Sequence, residues 1–290
     1  MVIKMEEEAI KNQKIAFEKM GIVLEYAKTL IKPNIKILEI AEAIEKKIFE
    51  VGAKPAFPVN IGINEIAAHY TPSKEDGTTL KEGDMVKVDI GLHVNGYISD
   101  NAFTVLVGKN SHPMIEAAKK AVEEAKKVLR ENVKIKEISD VIENTVSSSG
   151  FNVVRNLSGH FLDRYVVHGI SIPNVKNEID VTIPKGQVVA IEVFVTNGSG
   201  WVKESSEIQI FQFKEDRGAR SLEAKKILEM SKREFEGLPF AKRWLRNIPR
   251  AKIDLALRDL VSRGCLIDYP VLKEESNGLV AQWEESFIVE

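Results

Sequence analysis

The sequence predicts an α+β fold in which two pseudo-symmetric α-α-β halves share one curved antiparallel sheet, with the helices outside it and a helical insertion late in the chain. Three observations predict it. The chain matches itself at a nearly fixed offset, matched strands of the two copies carry matched polar residues, and one hairpin sets a strand register inside the first copy.

The repeat comes first along the chain. Residues 18–52 align without gaps on residues 116–150 at an offset of 98, with 12 of 35 positions identical. Each copy reads as two helices. The first has apolar residues at helical spacing, as in Ile22, Tyr26 and Leu30. After Pro33 or Glu131 a second runs through Ile40 and Ile44, or Ile138 and Ile142, and stops at Gly52 or Gly150. Charge-rich helices can match by composition alone, and the strands weigh against that account. At offset 103, "LKEGDMVKVDIG" matches "IPKGQVVAIEVF", so Asp89 and Glu192 both stand six residues after a turn glycine. Between the two blocks, at offset 99, His69 of "AAHYTP" matches His168 of "VVHGIS". Two such units related by a pseudo-twofold axis would bring Asp89 and Glu192 toward one central cleft.

The hairpin is "VKVDIGLHVNGYISDNAFT", residues 86–104. Asn-Gly between alternating apolar runs signals a type I′ turn, which needs φ > 0 at both central residues. Counting outward from Asn95-Gly96 pairs Val94 with Tyr97, Asp89 with Ala102 and Gly91 with Asp100. Residues two apart share a face, so Asp89 and Asp100 are diagonal neighbours, roughly 7 Å apart at Cβ. Two such carboxylates share a proton, share a cation or remain solvated on an exposed hairpin.

Glu192 lies in "VVAIEVFV", a run of the kind that forms a buried strand, where an unpaired charge is costly. His112, before Pro113, reads as a surface residue, and His93, near the sheet rim, as structural. His69 ends a short apolar stretch. "HFLDRYVVHG" reads as one strand-like run from His160 to His168. Singly, each of these two suits a satisfied core position; beside three acids on facing strands, they complete the imidazole and carboxylate set that binds a divalent transition metal. In "GLVAQWEESFIVE", alternation puts Leu279, Ala281, Trp283, Glu285 and Phe287 on one face, expected to pack on the helices, and Gln282 and Glu284 on the other. Pattern alone leaves Glu285 open beside Glu284 as the cleft-facing acid.

The composition sets bounds on these readings. The 290 residues carry a net charge of −2, which argues for neither nucleic acid nor an anionic membrane as partner. Cys265 is the single cysteine, which excludes an internal disulfide and a cysteine-rich zinc site and points to a reducing, cytoplasmic compartment. The acidic start has no signal-peptide core, and no run of 18 apolar residues exists.

Together the quoted segments resemble the methionine aminopeptidases of the pita-bread metallopeptidase fold. "VKVDIGLHVNGYISD", "SGHFLDRYVVHG", "AIEVFVTNG" and "AQWEES" match, in order, that family's metal-ligand segments. The resemblance implies Asp89, Asp100, His160, Glu192 and Glu284 as ligands of two divalent ions (cobalt, manganese, iron or zinc), with Asp100 and Glu284 bridging. It implies catalytic, substrate-contacting roles for His69 and His168, Glu192 as general base and Phe57 in the methionine pocket. Metal-activated hydroxide would attack the first peptide bond of nascent polypeptides whose second residue is small. Ile210 departs from the family pattern, since eukaryotic relatives place a polar pocket histidine there.

Glu192 and Glu284 are 92 residues apart, which resembles the type 2 enzymes and, without a polybasic extension, their archaeal forms. Residues 214–275 would be the helical, winged-helix-like insertion, ending in a "GCLIDYPVL" hairpin, and residues 1–213 with 276–290 the catalytic domain. The insertion's fifteen basic and eleven acidic residues fit a solvated face or a ribosomal surface. A monomer without sequence-specific nucleic-acid binding is expected. An Xaa-Pro dipeptidase or aminopeptidase P shares the ligands but typically adds an N-terminal domain; a non-catalytic pita-bread binding module would have lost ligands.

Overall fold

The computed structural model describes residues 2–290. In chain order the elements are α1 (Val2–Leu30), α2 (Ile37–Glu50), β1 (Lys54–Pro55), β2 (Asn60–Ile63), β3 (Ile66–Ala68), β4 (Met85–Val94), β5 (Tyr97–Leu106), α3 (Pro113–Val128), α4 (Ile135–Ser148), β6 (Asn152–Val153), β7 (Ser158–Leu162), β8 (Ser171–Pro173), β9 (Val188–Thr196), β10 (Val202–Phe213), α5 (Leu222–Arg233), β11 (Phe240–Ala241), α6 (Arg250–Ser262), β12 (Leu266–Glu274) and β13 (Val280–Ile288). The main sheet runs β1-β4-β5-β13-β9-β7-β8, with β2 beside β4 and β6 beside β9. All of its pairings are antiparallel. The chain therefore adopts the α+β pita-bread architecture: β4 and β9 occupy equivalent places on either side of a seam between β5 and β13.

Each half buries its own core. Ile37, Ile40, Ile44 and Ile48 of α2 pack with Val86, Val88 and Ile90 of β4, while Ile135, Ile138, Ile142 and Val146 of α4 pack with Val189, Ile191, Val193 and Val195 of β9. The two helical patterns end at Gly52 and Gly150, whose φ values of +71° and +81° are left-handed positions that favour glycine. His112 caps α3, its Nδ1 accepting from Met114 N ahead of Pro113 in the first turn.

In α1 the buried stripe differs from the sequence expectation. Ile22 is 53% exposed and Tyr26 and Leu30 are half-buried, whereas Ala16, Met20, Val23 and Ala27, continued by Ile31 just past the helix, are buried in the core shared with β4. Two alanines in that stripe allow close helix-to-sheet approach, a choice that a search for bulky apolar residues passes over.

A second sheet, β11-β10-β12-β3, joins the late part of the chain to the first half. The segment expected as a hairpin, residues 264–272, instead leads into one strand, β12, lying along β10 and pairing at its end with β3, Leu272 opposite Ala68. Helices α5 and α6 close a small core on it with Ile227, Leu228, Ile253, Leu257 and Phe240. Ser221 caps α5 by accepting from Ala224 N. Among the described residues no helix is long and apolar enough to cross a membrane.

Candidate metal centre

The hairpin pairs Val94 with Tyr97, Asp89 with Ala102 and Gly91 with Asp100, the register that its Asn-Gly turn requires. Strand β13 then places Glu284 opposite both Ala102 and Glu192. Asp89, Ala102, Glu284 and Glu192 thus form one row across four strands, and cross-strand partners share a face. Trp283 and Phe287 on the other side of β13 pack against the helix-facing cores, which directs Glu284 rather than Glu285 into the cleft.

His160 on β7 reaches the same row. The expected single run from His160 to His168 breaks at a tight turn, where Asp163 pairs with Val166 and Tyr165 takes a φ of 58°. A continuous strand would carry eight residues over roughly 26 Å; the turn instead brings the two imidazoles to 4.8 Å, edge to face. Gly159 permits the approach of β7 to β9, since a Cβ there would lie 2.4 Å from Ala190 O.

His69 enters from the first half. It follows β3 with a φ of 62°, a left-handed backbone unusual for a side chain with a Cβ. Its Nδ1 donates to Pro270 O at 3.2 Å, and its ring meets Tyr269 edge to face at 5.3 Å. Tyr269 also lies 6.1 Å from His168 and donates its hydroxyl to Gln212.

The eight expected site residues, Phe57, His69, Asp89, Asp100, His160, His168, Glu192 and Glu284, all line one cavity of ≈ 340 Å³. Phe57 packs against Gly91, where a Cβ would come 2.1 Å from its ring. Ile210 lines the cavity as well, giving it an apolar wall at that position. Sequence reasoning missed Tyr269, Asn60 and Phe194. Tyr269 reaches the site through long-range pairing of β12, opposite Ile210 of β10 and, further along the strand, with β3. Asn60 stands opposite Asp89 on β2 and closes the same "AFPVN" segment that holds Phe57, a proximity that could have flagged it.

Electrostatics single out what the cavity lacks. Asp100 and Glu284 are 3% and 2% exposed. Burial pushes Asp89 up to about 7, and burial followed by the charges of neighbouring carboxylates pushes Asp100, Glu192 and Glu284 well above the usual range. No lysine or arginine lines the cavity among the described residues. Gln282 Nε2 donates to Glu192 Oε1 at 2.8 Å, yet Asp89 Oδ1 and Glu284 Oε1 are buried without any hydrogen-bond partner. Burial lowers His160 to about 3 and His69 to about 4, with His168 adding to both, and burial lowers His168 itself. Neutral imidazoles and orphaned carboxylate oxygens are the donor set of a divalent cation.

The donor atoms form two clusters, Asp100 with His160 and Glu284, and Asp89 with Glu192 and Glu284, each with all atoms within 4.8 Å of one another. Glu284 is common to both. His160 Nδ1 donates to Phe161 O at 3.3 Å, which leaves the lone pair on Nε2, 3.7 Å from Asp100 Oδ2. The residues present therefore fit metal binding.

Comparison with known proteins supplies the family. Residues 11–225 match the model of metallopeptidase family M24. The chain is 50% identical over 265 residues to a methionine aminopeptidase of Thermococcus onnurineus, covering 90% of each chain. It is 50% identical over 271 residues to one from Pyrococcus abyssi, covering 92% of each. The crystal structure of a methionine aminopeptidase from Thermotoga maritima superposes with a TM-score of 0.70 at 21% identity, covering 97% of this chain and 93% of that one, which shows the shared fold. By these matches the chain belongs to metallopeptidase family M24 and, within it, to the methionine aminopeptidases.

Proposed function

We propose that this chain removes the N-terminal methionine from nascent polypeptides whose second residue is small, as an archaeal-like type 2 enzyme. The carrying observation is the pair of donor clusters sharing Glu284, set beside His69 and His168 in a cavity with an apolar wall. Asp89, Asp100, His160, Glu192 and Glu284 would hold two divalent ions of cobalt, manganese, iron or zinc. When bound, such ions supply Lewis acidity toward a water and toward the substrate carbonyl.

The protein's own groups do the rest. Glu192, held in the cavity by the Gln282 amide, takes the proton of the attacking water. His168 donates a hydrogen bond to the carbonyl oxygen as it gains charge. His69, with Nδ1–H committed to Pro270 O, presents Nε2 as an acceptor for the amide N–H of the second substrate residue. Phe57 and Ile210 wall the pocket for the unbranched thioether side chain.

We further propose a cytoplasmic monomer, with residues 1–213 and 276–290 as the catalytic domain and residues 214–275 as an insertion whose basic excess suits transient docking on the ribosome surface. The test is a metal titration of activity on Met-Ala-Ser, Met-Lys-Ser and Ala-Pro. Turnover of Met-Ala-Ser should exceed that of Met-Lys-Ser by orders of magnitude in kcat/KM, because misplacement at the scissile bond is costly. Equal rates on the two would overturn N-terminal methionine excision, and preferential turnover of Ala-Pro would favour an Xaa-Pro peptidase.

A further inference from the structure

The seam between β5 and β13 lies directly beneath the donor clusters, and it is built unlike its neighbours. β4 and β5 pair continuously from Met85 opposite Leu106 to Val94 opposite Tyr97, and β13 and β9 from Val280 opposite Thr196 to Ile288 opposite Val188. Between β5 and β13 the only backbone pair is Ala102 with Glu284. Extending that register by two residues each way sets Asp100 opposite Ser286 and Thr104 opposite Gln282.

Both flanking positions are bridged by a hydroxyl in place of ladder bonds. Ser286 Oγ accepts from Asp100 N at 2.9 Å and donates to Asp100 O at 2.7 Å. Thr104 Oγ1 accepts from Gln282 N at 2.8 Å and donates to Gln282 O at 2.7 Å. Each hydroxyl takes both backbone groups of the residue it faces, one from β13 serving β5 and one from β5 serving β13. The arrangement repeats the pseudo-twofold of the sheet about the Ala102–Glu284 pair. An interposed hydroxyl also spreads the strands relative to a direct N–H···O=C bond.

We propose that Ser286 and Thr104 are positioning residues that set the separation of Asp100 from Glu284, and with it the gap a divalent ion must fit. Asp100 and Glu284 sit on opposite strands of the seam and belong to one donor cluster with His160. Ser286 fixes the backbone of Asp100 itself. Thr104 fixes Gln282, whose amide donates to Glu192 and, at 3.5 Å, to Glu284 Oε2. Neither hydroxyl touches the donor atoms, so each acts through the backbone that carries them.

This rests on the metal-binding reading of the site, and the experiment separates the two. Metal-stripped wild type, Ser286→Ala, Ser286→Thr, Thr104→Val and Thr104→Ser are titrated with Mn²⁺ by calorimetry, and the melting temperature of each apoprotein is recorded. Ser286→Ala and Thr104→Val should each bind Mn²⁺ about 10- to 100-fold more weakly in at least one step, the scale expected when the support of a ligand is removed. Ser286→Thr and Thr104→Ser, which keep the hydroxyl, should stay within about threefold of wild type, far inside that range. Unchanged Mn²⁺ affinity in Ser286→Ala and Thr104→Val overturns the proposal, whatever their melting temperatures do. The two sites lie on different strands, so one variant that fails to fold leaves the other to decide. Absence of Mn²⁺ binding by wild type overturns the metal-binding reading itself.

Discussion

Ala102 stands opposite Asp89 on one neighbouring strand and opposite Glu284 on the other, so its methyl shares the sheet face that carries these two carboxylates. Any larger side chain would rise into the space between the carboxylates. Ala102→Leu should therefore fold and lose bound divalent ion, while Ala102→Gly keeps it, because the added atoms rise on the face that carries Asp89 and Glu284. Metal content per chain, measured after dialysis against Mn²⁺, checks this. Wild-type stoichiometry in Ala102→Leu would show that the ions do not sit above this row.

Asp100→Asn separates stability from metal binding. Burial and the charge of Asp89 raise the Asp100 pKa above its ordinary 3.8, so the folded apoprotein binds a proton that the unfolded chain releases. Stability from this group is present at low pH and is lost as pH rises through and above 3.8. Asparagine removes that penalty. The Asp100→Asn apoprotein should melt above wild type at pH 8, by a margin that narrows toward pH 4, yet retain little Mn²⁺. Equal Mn²⁺ content in the two proteins would remove Asp100 from the ligand set.

His69→Ala should keep its metal content and lose about 10²-fold or more in kcat, the scale of a group that acts on the reacting amide. Alanine carries the same Cβ at the left-handed φ of 62°, so the substitution leaves the backbone demand unchanged. Loss of metal in this variant would instead place His69 among the ligands.

His93 is a pH-dependent stabiliser away from the metal centre. Its Nδ1 accepts from Gly96 N at 3.0 Å inside the Asn-Gly turn, and burial lowers it to about 4. The unfolded chain therefore takes up a proton near pH 6.5 that the folded chain refuses, so this stability is present above pH 6.5 and lost as pH falls toward 4. Between pH 7.5 and 5 the loss amounts to about 2 kcal/mol for a single site. His93→Gln, whose amide oxygen can accept from Gly96 N without titrating, should lose less over that interval by about that amount. Urea unfolding at the two pH values measures it, and parallel losses in both proteins would contradict the assignment.

Much of this arrangement is carried by local pattern. The Asn95-Gly96 turn and the two-residue period around it determine the register that brings Asp89 and Asp100 to one face, and the same period in β13 sends Glu284 inward while Trp283 packs outward. The internal repeat specifies the two helix-pair cores and the equivalence of β4 and β9, because each copy must bury the same face of the same kind of unit. Tertiary structure alone decided the rest. It chose the alanine-containing stripe of α1, since helix propensity does not distinguish which apolar row will meet the sheet. It folded the run between His160 and His168 back on itself and carried Tyr269 to His69 by pairing β12 with β10 and β3. It also replaced ladder bonds with Thr104 and Ser286 at the seam. Each of these depends on which distant strand supplies the partner for a backbone hydrogen bond, and a local period of two or 3.6 residues carries no information about that choice.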